Sequence, residues 1–337
     1  RRPTSLFLAG PLGGHVRVLT RGDLEEVLDI RTVIDAVERG LVEHARGTVS
    51  MPARQIHSID GVGTALVMSA YLGGMGVLAL KVVSEFRGNR DRGIPSLQGG
   101  VLLLDAETGE VVSLMDGATI TALRTGAAGA LAARALSVVD AQVVGILGTG
   151  VQARTQIQAL WVVRNLQLVK AYSPTKAHVR AFCKEIADQL EIDALVADTP
   201  QEVVAGSDIV ITATNATEPV LPGSWLEEGM HATSIGSGPV RELDAEVYRR
   251  ARVVVDWREG ALKEARDLRA AIEEGSFGPD GIEAELGQLL AGMRPGRTTK
   301  EEITLFRSVG MALEDAVTAA VAYERAVEAD LGTDVPL

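Results

Sequence analysis

The sequence is short of the residues that staple small secreted domains. Its 337 residues include one cysteine, Cys183, which excludes an internal disulfide. With 5 histidines and no Cys/His cluster at ligand spacing, a structural zinc site is excluded too. A reducing, cytoplasmic setting is the default for such a chain. Aromatic residues make up only 4%, so the interior has to be built from Val, Leu, Ile and Ala. Positive charge is in deficit: 33 Lys and Arg stand against 45 Asp and Glu, a net charge of −12. That removes the broad cationic surface needed to bind a nucleic-acid backbone. No stretch approaches the roughly 20 apolar residues that span a bilayer. The opening Arg1-Arg2-Pro3-Thr4-Ser5-Leu6-Phe7-Leu8 has some likeness to a twin-arginine export signal, but Pro11, Gly13 and Gly14 cut its apolar region short and no cleavage site follows. Neither nucleic acid nor membrane is expected as a partner.

What the chain does have is 46% hydrophobic side chains and 36 glycines, a composition suited to layered α/β architecture with close backbone approaches. Residues 16–19 read as a strand running into a helix capped near Thr20, and Val33, Ile34, Val37, Leu41 and Val42 mark a second, amphipathic helix. Strand-like runs at 64–68 and 77–83 follow, then a hairpin of 100–104 and 111–115 around the turn Asp105-Ala106-Glu107-Thr108-Gly109. Near Thr125 the pattern changes. An Ala-rich helix over 127–136 leads into a buried strand at 142–147, and further strands at 167–172, 208–212, 231–235 and 252–256 are spaced for crossover helices. The last helix, 311–328, is rich in Ala and Val and suited to pack back on the first unit. The expected fold is α/β: a Rossmann-type doubly wound parallel sheet over 127–308, with a smaller mixed α+β domain from 1–126 and 309–337.

Gly148-Thr149-Gly150-Val151-Gln152-Ala153 directly follows a predicted strand and opens a predicted helix, the context that gives a G-x-G-x-x-G/A match its meaning. The first glycine permits the tight turn, the second lets a pyrophosphate approach the backbone, and Ala153 lets the helix sit close to the sheet. A nicotinamide dinucleotide is therefore the expected cofactor. Its candidate contacts are Thr125, the loop residues Gly148, Thr149, Gly150, Val151 and Gln152, and the strand ends Thr212, Ala213, Thr214, Ile235 and Gly236. An NAD-selective site usually ends its second strand on an acid that binds the ribose 2′-hydroxyl. Here that strand ends at Ser173, followed by Thr175 and Lys176, so NADP(H) is favoured and NAD(H) is possible. Ser173 and Thr175 would serve equally well to cap the next helix.

Three cations precede this unit beside Gly, Pro or strand signals: Arg54, Lys81 and Arg124. Lys81, flanked by Ala79, Leu80, Val82 and Val83, must pair, line a cleft or snorkel from an edge. Together with a nucleotide unit, three such cations suit an anionic small substrate, since arginine matches a carboxylate bidentately. Met68, Tyr71 and Ser237 are further pocket candidates, although Met and Tyr also serve simply as packing residues.

Met51-Pro52-x-Arg54, Met68-Ser69-Ala70-Tyr71, Lys81-Val82-Val83-Ser84, Met115-Asp116-Gly117, Thr121-x-x-Arg124-Thr125 and Leu147-Gly148-Thr149-Gly150-Val151-Gln152-Ala153 together resemble the ornithine cyclodeaminase/mu-crystallin family. The match continues through Glu285-Leu286-Gly287 and Ser308-Val309-Gly310-Met311-Ala312-x-Glu314-Asp315, covering almost the whole chain in order. That family includes NAD-dependent cyclodeaminases, alanine and other amino-acid dehydrogenases, and NAD(P)H-dependent ketimine reductases. The resemblance implies that Arg54, Lys81 and Arg124 grip a substrate carboxylate, with Lys81 able to transfer a proton, and that Ser308 and Gly310 approach the nicotinamide. It also implies a homodimer formed through the first unit, which would be the substrate-binding domain.

One departure stands out. Cyclodeaminase members carry an Asp in the Gly-rich segment after the fifth strand of the cofactor unit. Here Ile235-Gly236-Ser237-Gly238-Pro239-Val240-Arg241-Glu242-Leu243 looks two residues shorter and has no Asp before Glu242. The expected activity is therefore NADP(H)-dependent oxidoreduction at the C–N bond of a small α-amino or α-imino acid, with Ser237 in place of the missing acid. A cyclodeaminase-type lyase with bound NAD and a non-catalytic, mu-crystallin-like ligand binder are the alternatives.

Overall fold

The computed structural model describes residues 14–337; the export-like opening, residues 1–8, lies outside them. In chain order the elements begin with β1 (His15–Leu19), α1 (Arg21–Val27), α2 (Ile30–Ala45), β2 (Val49–Ser50), β3 (Gln55–Ile59), β4 (Gly63–Leu72) and β5 (Val77–Glu85). Next come β6 (Leu97–Asp105), β7 (Val111–Asp116), α3 (Gly117–Leu136), β8 (Val143–Leu147), α4 (Val151–Val163), β9 (Leu168–Tyr172), α5 (Lys176–Leu190), β10 (Asp193–Val196) and α6 (Pro200–Val204). The chain continues through β11 (Ile209–Thr212), β12 (His231–Ser234), α7 (Ala245–Arg250), β13 (Arg252–Val255), α8 (Arg258–Glu264) and α9 (Arg266–Glu273). It closes with β14 (Ile282–Glu285), α10 (Leu286–Leu290), β15 (Thr304–Arg307), α11 (Ala312–Glu328) and β16 (Thr333–Pro336).

The described residues fall into two compact units, one running up to Arg124 and completed by Met311–Leu337, the other Thr125–Gly310. The first is built on a mixed sheet in the order β16-β1-β7-β6-β5-β4-β2, with β3 paired to β4. Alternation sets its two faces. Met68, Ala70, Leu72, Val77, Ala79, Val101, Leu103 and Met115 are buried, and α11 packs against β4, β5 and β6. Tyr71, Val82 and Leu114 on the other face are 40–50% exposed.

Thr125–Gly310 holds a second sheet in the order β10-β9-β8-β11-β12-β15-β13-β14, and every pairing in it is parallel. All four residues of β11, β12 and β15 are buried, as central strands covered on both faces must be. One apolar cluster, with Ile146, Ala153, Ile157 and Phe182, gathers around α4 and α5. The other, with Val247, Tyr248, Leu268 and Ile282, gathers around α7 and α9. Strand order reverses between β8 and β11, where doubly wound sheets bind ligands at the strands' carboxyl ends.

Some elements differ from the sequence reading. The helix expected from residue 127 begins at Gly117, because the Asp116 carboxylate accepts hydrogen bonds from Thr119 N (2.8 Å) and Thr119 Oγ1 (2.6 Å) and so caps it early. Arg124 and Thr125 therefore stand on this helix. The strands β2, β3, β10, β14, β15 and β16 add to those read from the sequence. Among the described residues no helix is long and apolar enough to cross a membrane.

Candidate active site

The phosphate loop is set by backbone geometry. Gly148 takes φ +103°, and a β-carbon there would fall 2.2 Å from the Ala213 carbonyl oxygen, so this turn admits only glycine. Gly150 is different: its φ is −81°, no side chain caps α4, and no atom lies within 4 Å of where its β-carbon would stand. The fold itself does not require glycine at that position. A bare backbone beside the free N–H groups of a helix start is what a pyrophosphate requires. Gln152 adds a buried Oε1 with no hydrogen-bond partner. Arg154 braces the loop from behind, donating from one terminal nitrogen to the carbonyls of Thr149 (2.7 Å) and Gly150 (3.2 Å) while its Nε meets Glu185 at 2.9 Å. These residues fit a dinucleotide.

At the neighbouring strand ends, Glu242 acts as a clamp. It is fully buried and accepts from Thr212 Oγ1 (2.8 Å), Ser234 Oγ (2.9 Å), Thr214 N (2.6 Å) and Thr214 Oγ1 (2.8 Å). Ser237 sits half-buried in the segment between Ser234 and Glu242, after Ile235 and Gly236. Asp256 plays a similar part at the end of β13: its Oδ2 accepts from Ser308 Oγ (2.8 Å), Val309 N (2.8 Å) and Gly310 N (2.6 Å). Ser308 and Gly310 are thereby fixed just beyond β15, beside β12 in the sheet. Thr125 is buried on α3, its carbonyl accepting from Gln156 Nε2 at 2.8 Å.

Beyond β9, Ser173 is half-buried and Thr175 is the N-cap residue of α5, but the Thr175 side chain makes no capping hydrogen bond. Lys176 Nζ pairs with Asp198 Oδ1 at 2.7 Å in the open, the two side chains being 45% and 85% exposed.

In the first unit Lys81 and Arg124 meet carboxylates. Lys81 Nζ lies 2.9 Å from Asp315 Oδ1, and the same oxygen receives Arg124 Nε at 3.1 Å. A terminal nitrogen of Arg124 donates to Glu314 Oε2 at 2.6 Å. None of the four residues is more than 6% exposed. Of the three options open to a lysine in an apolar strand, Lys81 takes pairing. Two cations facing two carboxylates keep the buried group neutral overall, the arrangement that makes buried charge tolerable. Desolvation nevertheless pushes Lys81 down to about 8, outweighing the pull of Asp315, with Arg124 adding in the same direction.

Met68 pairs across the strands with Lys81 and is buried beside it. Arg54 is half-buried and directly precedes the Gln55–Val67 pair, at the level of Met68. Tyr71 is not brought to this cluster. Three positions along β4 from Met68, it falls on the opposite face and is 42% exposed. The sequence reading assigned no role to Glu314, Asp315, Glu242 or Asp256. For Glu314 and Asp315 a signal was present: two adjacent acids in an Ala- and Val-rich helix can be buried only against cations.

Residues 15–330 match the model of the ornithine cyclodeaminase/mu-crystallin family. The alanine dehydrogenase of Archaeoglobus fulgidus is 35% identical over 320 residues, 94% of this chain and 97% of that protein. A solved structure of the Thermococcus litoralis Δ1-pyrroline-2-carboxylate reductase, in complex with NADH and L-proline, superposes with a TM-score of 0.93 at 41% identity, covering 95% of this chain and 100% of that one. An archaeal alanine dehydrogenase dimer with bound NAD gives 0.91 at 33% identity, covering 95% and 99%.

Proposed function

The chain belongs to the ornithine cyclodeaminase/mu-crystallin family, and from that premise we propose that it is an NAD(P)(H)-dependent oxidoreductase acting on the C–N bond of a small α-amino or α-imino carboxylate. The observation that carries this reading is the buried group of Lys81, Arg124, Glu314 and Asp315. Arg124, with Arg54, supplies planar donors for a substrate carboxylate. Lys81, titrating near 8, can give or take a proton at the substrate nitrogen close to neutral pH. The nicotinamide, when bound, supplies or accepts the hydride. Reduction then forms one C–H and one N–H bond across C=N, consuming one hydride and one proton. A buried, ion-paired lysine close to its titration point suits proton transfer better than passive binding.

The segment after β12 favours net redox turnover over cyclodeamination. Both of its carboxylates are engaged, Glu242 with Thr212, Thr214 and Ser234 and Asp244 with the backbone N–H groups of Gly223 and Val247. That leaves the Ser237 hydroxyl, a poor base near neutral pH.

NADP(H) is the favoured cofactor, since no acid ends β9 and the exposed Lys176–Asp198 pair costs little to exchange for a 2′-phosphate. Homodimerisation would use the outer face of the first sheet, where Tyr71, Val82 and Leu114 leave apolar surface exposed on a chain related to a dimeric dehydrogenase. A reducing, cytoplasmic setting suits the single cysteine, Cys183, which is buried.

The test is to follow NADPH or NADH absorbance with Δ1-pyrroline-2-carboxylate, the imine corresponding to the proline bound by the Thermococcus relative, and with pyruvate plus methylamine. Oxidation of the cofactor matched by amine formation is expected. Absence of turnover with all imino and amino acids, or conversion of ornithine to proline and ammonia without net cofactor change, would overturn it.

A further inference from the structure

Glu314 and Asp315 are adjacent in the first turn of α11, yet they meet different atoms of the two cations. Asp315 Oδ1 is the bridging atom, touching both Lys81 Nζ and Arg124 Nε. Glu314 reaches only the far end of the Arg124 guanidinium among these contacts. We propose that the two carboxylates divide the positioning: Asp315 fixes Lys81 as the proton-transferring amine, and Glu314 aims the Arg124 fork at the substrate carboxylate. Both are positioning residues, and the inference rests on the oxidoreductase reading given above.

Three features of the site support the division. Lys81 projects from β5 and Arg124 from α3, and carboxylates of a third element, α11, meet both. The start of α11 does this, because consecutive residues on a helix point about 100° apart and can serve two partners. In addition, the second oxygen of Asp315, Oδ2, is buried with no hydrogen-bond partner. A carboxylate kept half-satisfied in an apolar core is costly, and both contacts of this acid with the cations run through Oδ1, to Lys81 Nζ at 2.9 Å and to Arg124 Nε at 3.1 Å. The charged groups facing Lys81 are Asp315 and Glu314 from α11 and Arg124 from α3. Removing the charge of Asp315 takes away the strongest influence that keeps the amine protonated, so the Lys81 titration moves down. Glu314 acts mainly through the arginine.

The experiment compares Asp315→Asn, Asp315→Glu and Glu314→Gln in the full chain, using kcat and KM for imine reduction across pH. Reduction needs protonated Lys81, so the rate falls as pH rises through its titration. Asp315→Asn should move that limb down by about 1–3 pH units and lower kcat, the range a lost neighbouring charge produces. Asp315→Glu should return the limb toward wild type. Glu314→Gln should raise KM roughly 10-fold, as losing a charged hydrogen bond does, with the limb unmoved.

A second readout is independent of turnover. NMR titration of 13C-labelled lysine, with Lys81 assigned by its disappearance in Lys81→Arg, reports the same shift even if no imino acid is reduced, so a failed function reading and a failed positioning role are told apart. If Asp315→Asn does not fold, Glu314→Gln decides alone: a raised KM with an unmoved Lys81 titration supports the division. Equal effects of the two substitutions on limb and KM, or an unmoved Lys81 titration in Asp315→Asn, would overturn it.

Discussion

Gly148 lies too close to the Ala213 backbone to carry a side chain: a β-carbon there would fall 2.2 Å from the Ala213 carbonyl oxygen. Two residues further on, Gly150 faces open space in an ordinary backbone conformation. The two glycines of one motif thus answer different demands, and they should fail differently. Gly148→Ala should lower stability by about 1–3 kcal/mol or more, from a left-handed φ with a steric clash added. Gly150→Ala should change stability by less than about 1 kcal/mol and weaken cofactor binding at least roughly 10-fold by occupying the pyrophosphate's approach. Thermal melts with and without cofactor, beside a fluorescence titration of NAD(P)H, separate the two. A Gly150→Ala protein that binds cofactor normally would contradict the assignment.

Arg124→Ala should damage more than substrate binding. It strips Glu314 of a buried partner at 2.6 Å, and breaking such a pair costs about 3–5 kcal/mol. Arg124→Lys is the cleaner probe: it keeps the charge and loses the planar fork. Its KM should rise at least roughly 10-fold, as loss of a bidentate charged contact implies, with cofactor affinity unchanged. Kinetics identical to wild type would remove Arg124 from the substrate site.

Lys176→Ala should weaken NADP(H) selectively and leave NAD(H) binding and stability as they were. The ion pair it breaks with Asp198 is exposed, and such pairs contribute about 0–1 kcal/mol. Superimposable titration curves for the two cofactors in the wild type would remove the proposed preference.

His231 should mark the acid limb of stability. Fully buried between Thr304 Oγ1 (2.9 Å) and Thr233 Oγ1 (3.1 Å), with Arg297 and Arg164 adding positive charge nearby, it is pushed down to about 3. The unfolded chain protonates its histidine near 6.5 while the folded chain does not. The stability it contributes is complete above that pH and is lost as the pH falls toward 3, at up to about 1.4 kcal/mol per pH unit. Denaturant unfolding of His231→Gln between pH 4 and 6 should show a slope shallower than wild type by about one proton. Parallel slopes would mean the histidine is already charged in the fold.

The parallel sheet was legible because its strands are apolar runs set apart by crossover-length segments, and the phosphate loop because motif and context coincided. Lys81 was legible as an anomaly, a cation in an apolar strand, but its partner Asp315 lies 234 positions away, a separation no local pattern reveals. Glu242 and Asp256 were missed for a related reason. Each earns its place through hydrogen bonds to strand ends distant in sequence, such as Thr212 and Ser308. β15 escaped because four residues ending on a buried Arg307 do not look like a central strand; Asp267, 2.8 Å from the Arg307 Nε, makes that burial possible. Tyr71 illustrates the opposite error, where a motif neighbour of Met68 was counted with it although strand alternation sends the two to opposite faces.

The clamp at Glu242 also bears on how reaction outcome could diverge on this scaffold. Both feet of the segment between β12 and α7 are tied down independently of its tip, one by Ser234 and the other by Glu242 itself. Gly238 and Pro239, at the tip, are exposed, with the Pro239 carbonyl accepting from Arg266 at 2.8 Å. Gly236, whose carbonyl accepts from Arg307, and the buried Val240 are held by the surrounding structure, so change is tolerated best at Ser237 and Gly238. The tip thus works as a replaceable fitting: an acid set at Ser237 or Gly238 would leave the Glu242 clamp on Thr212, Thr214 and Ser234 in place.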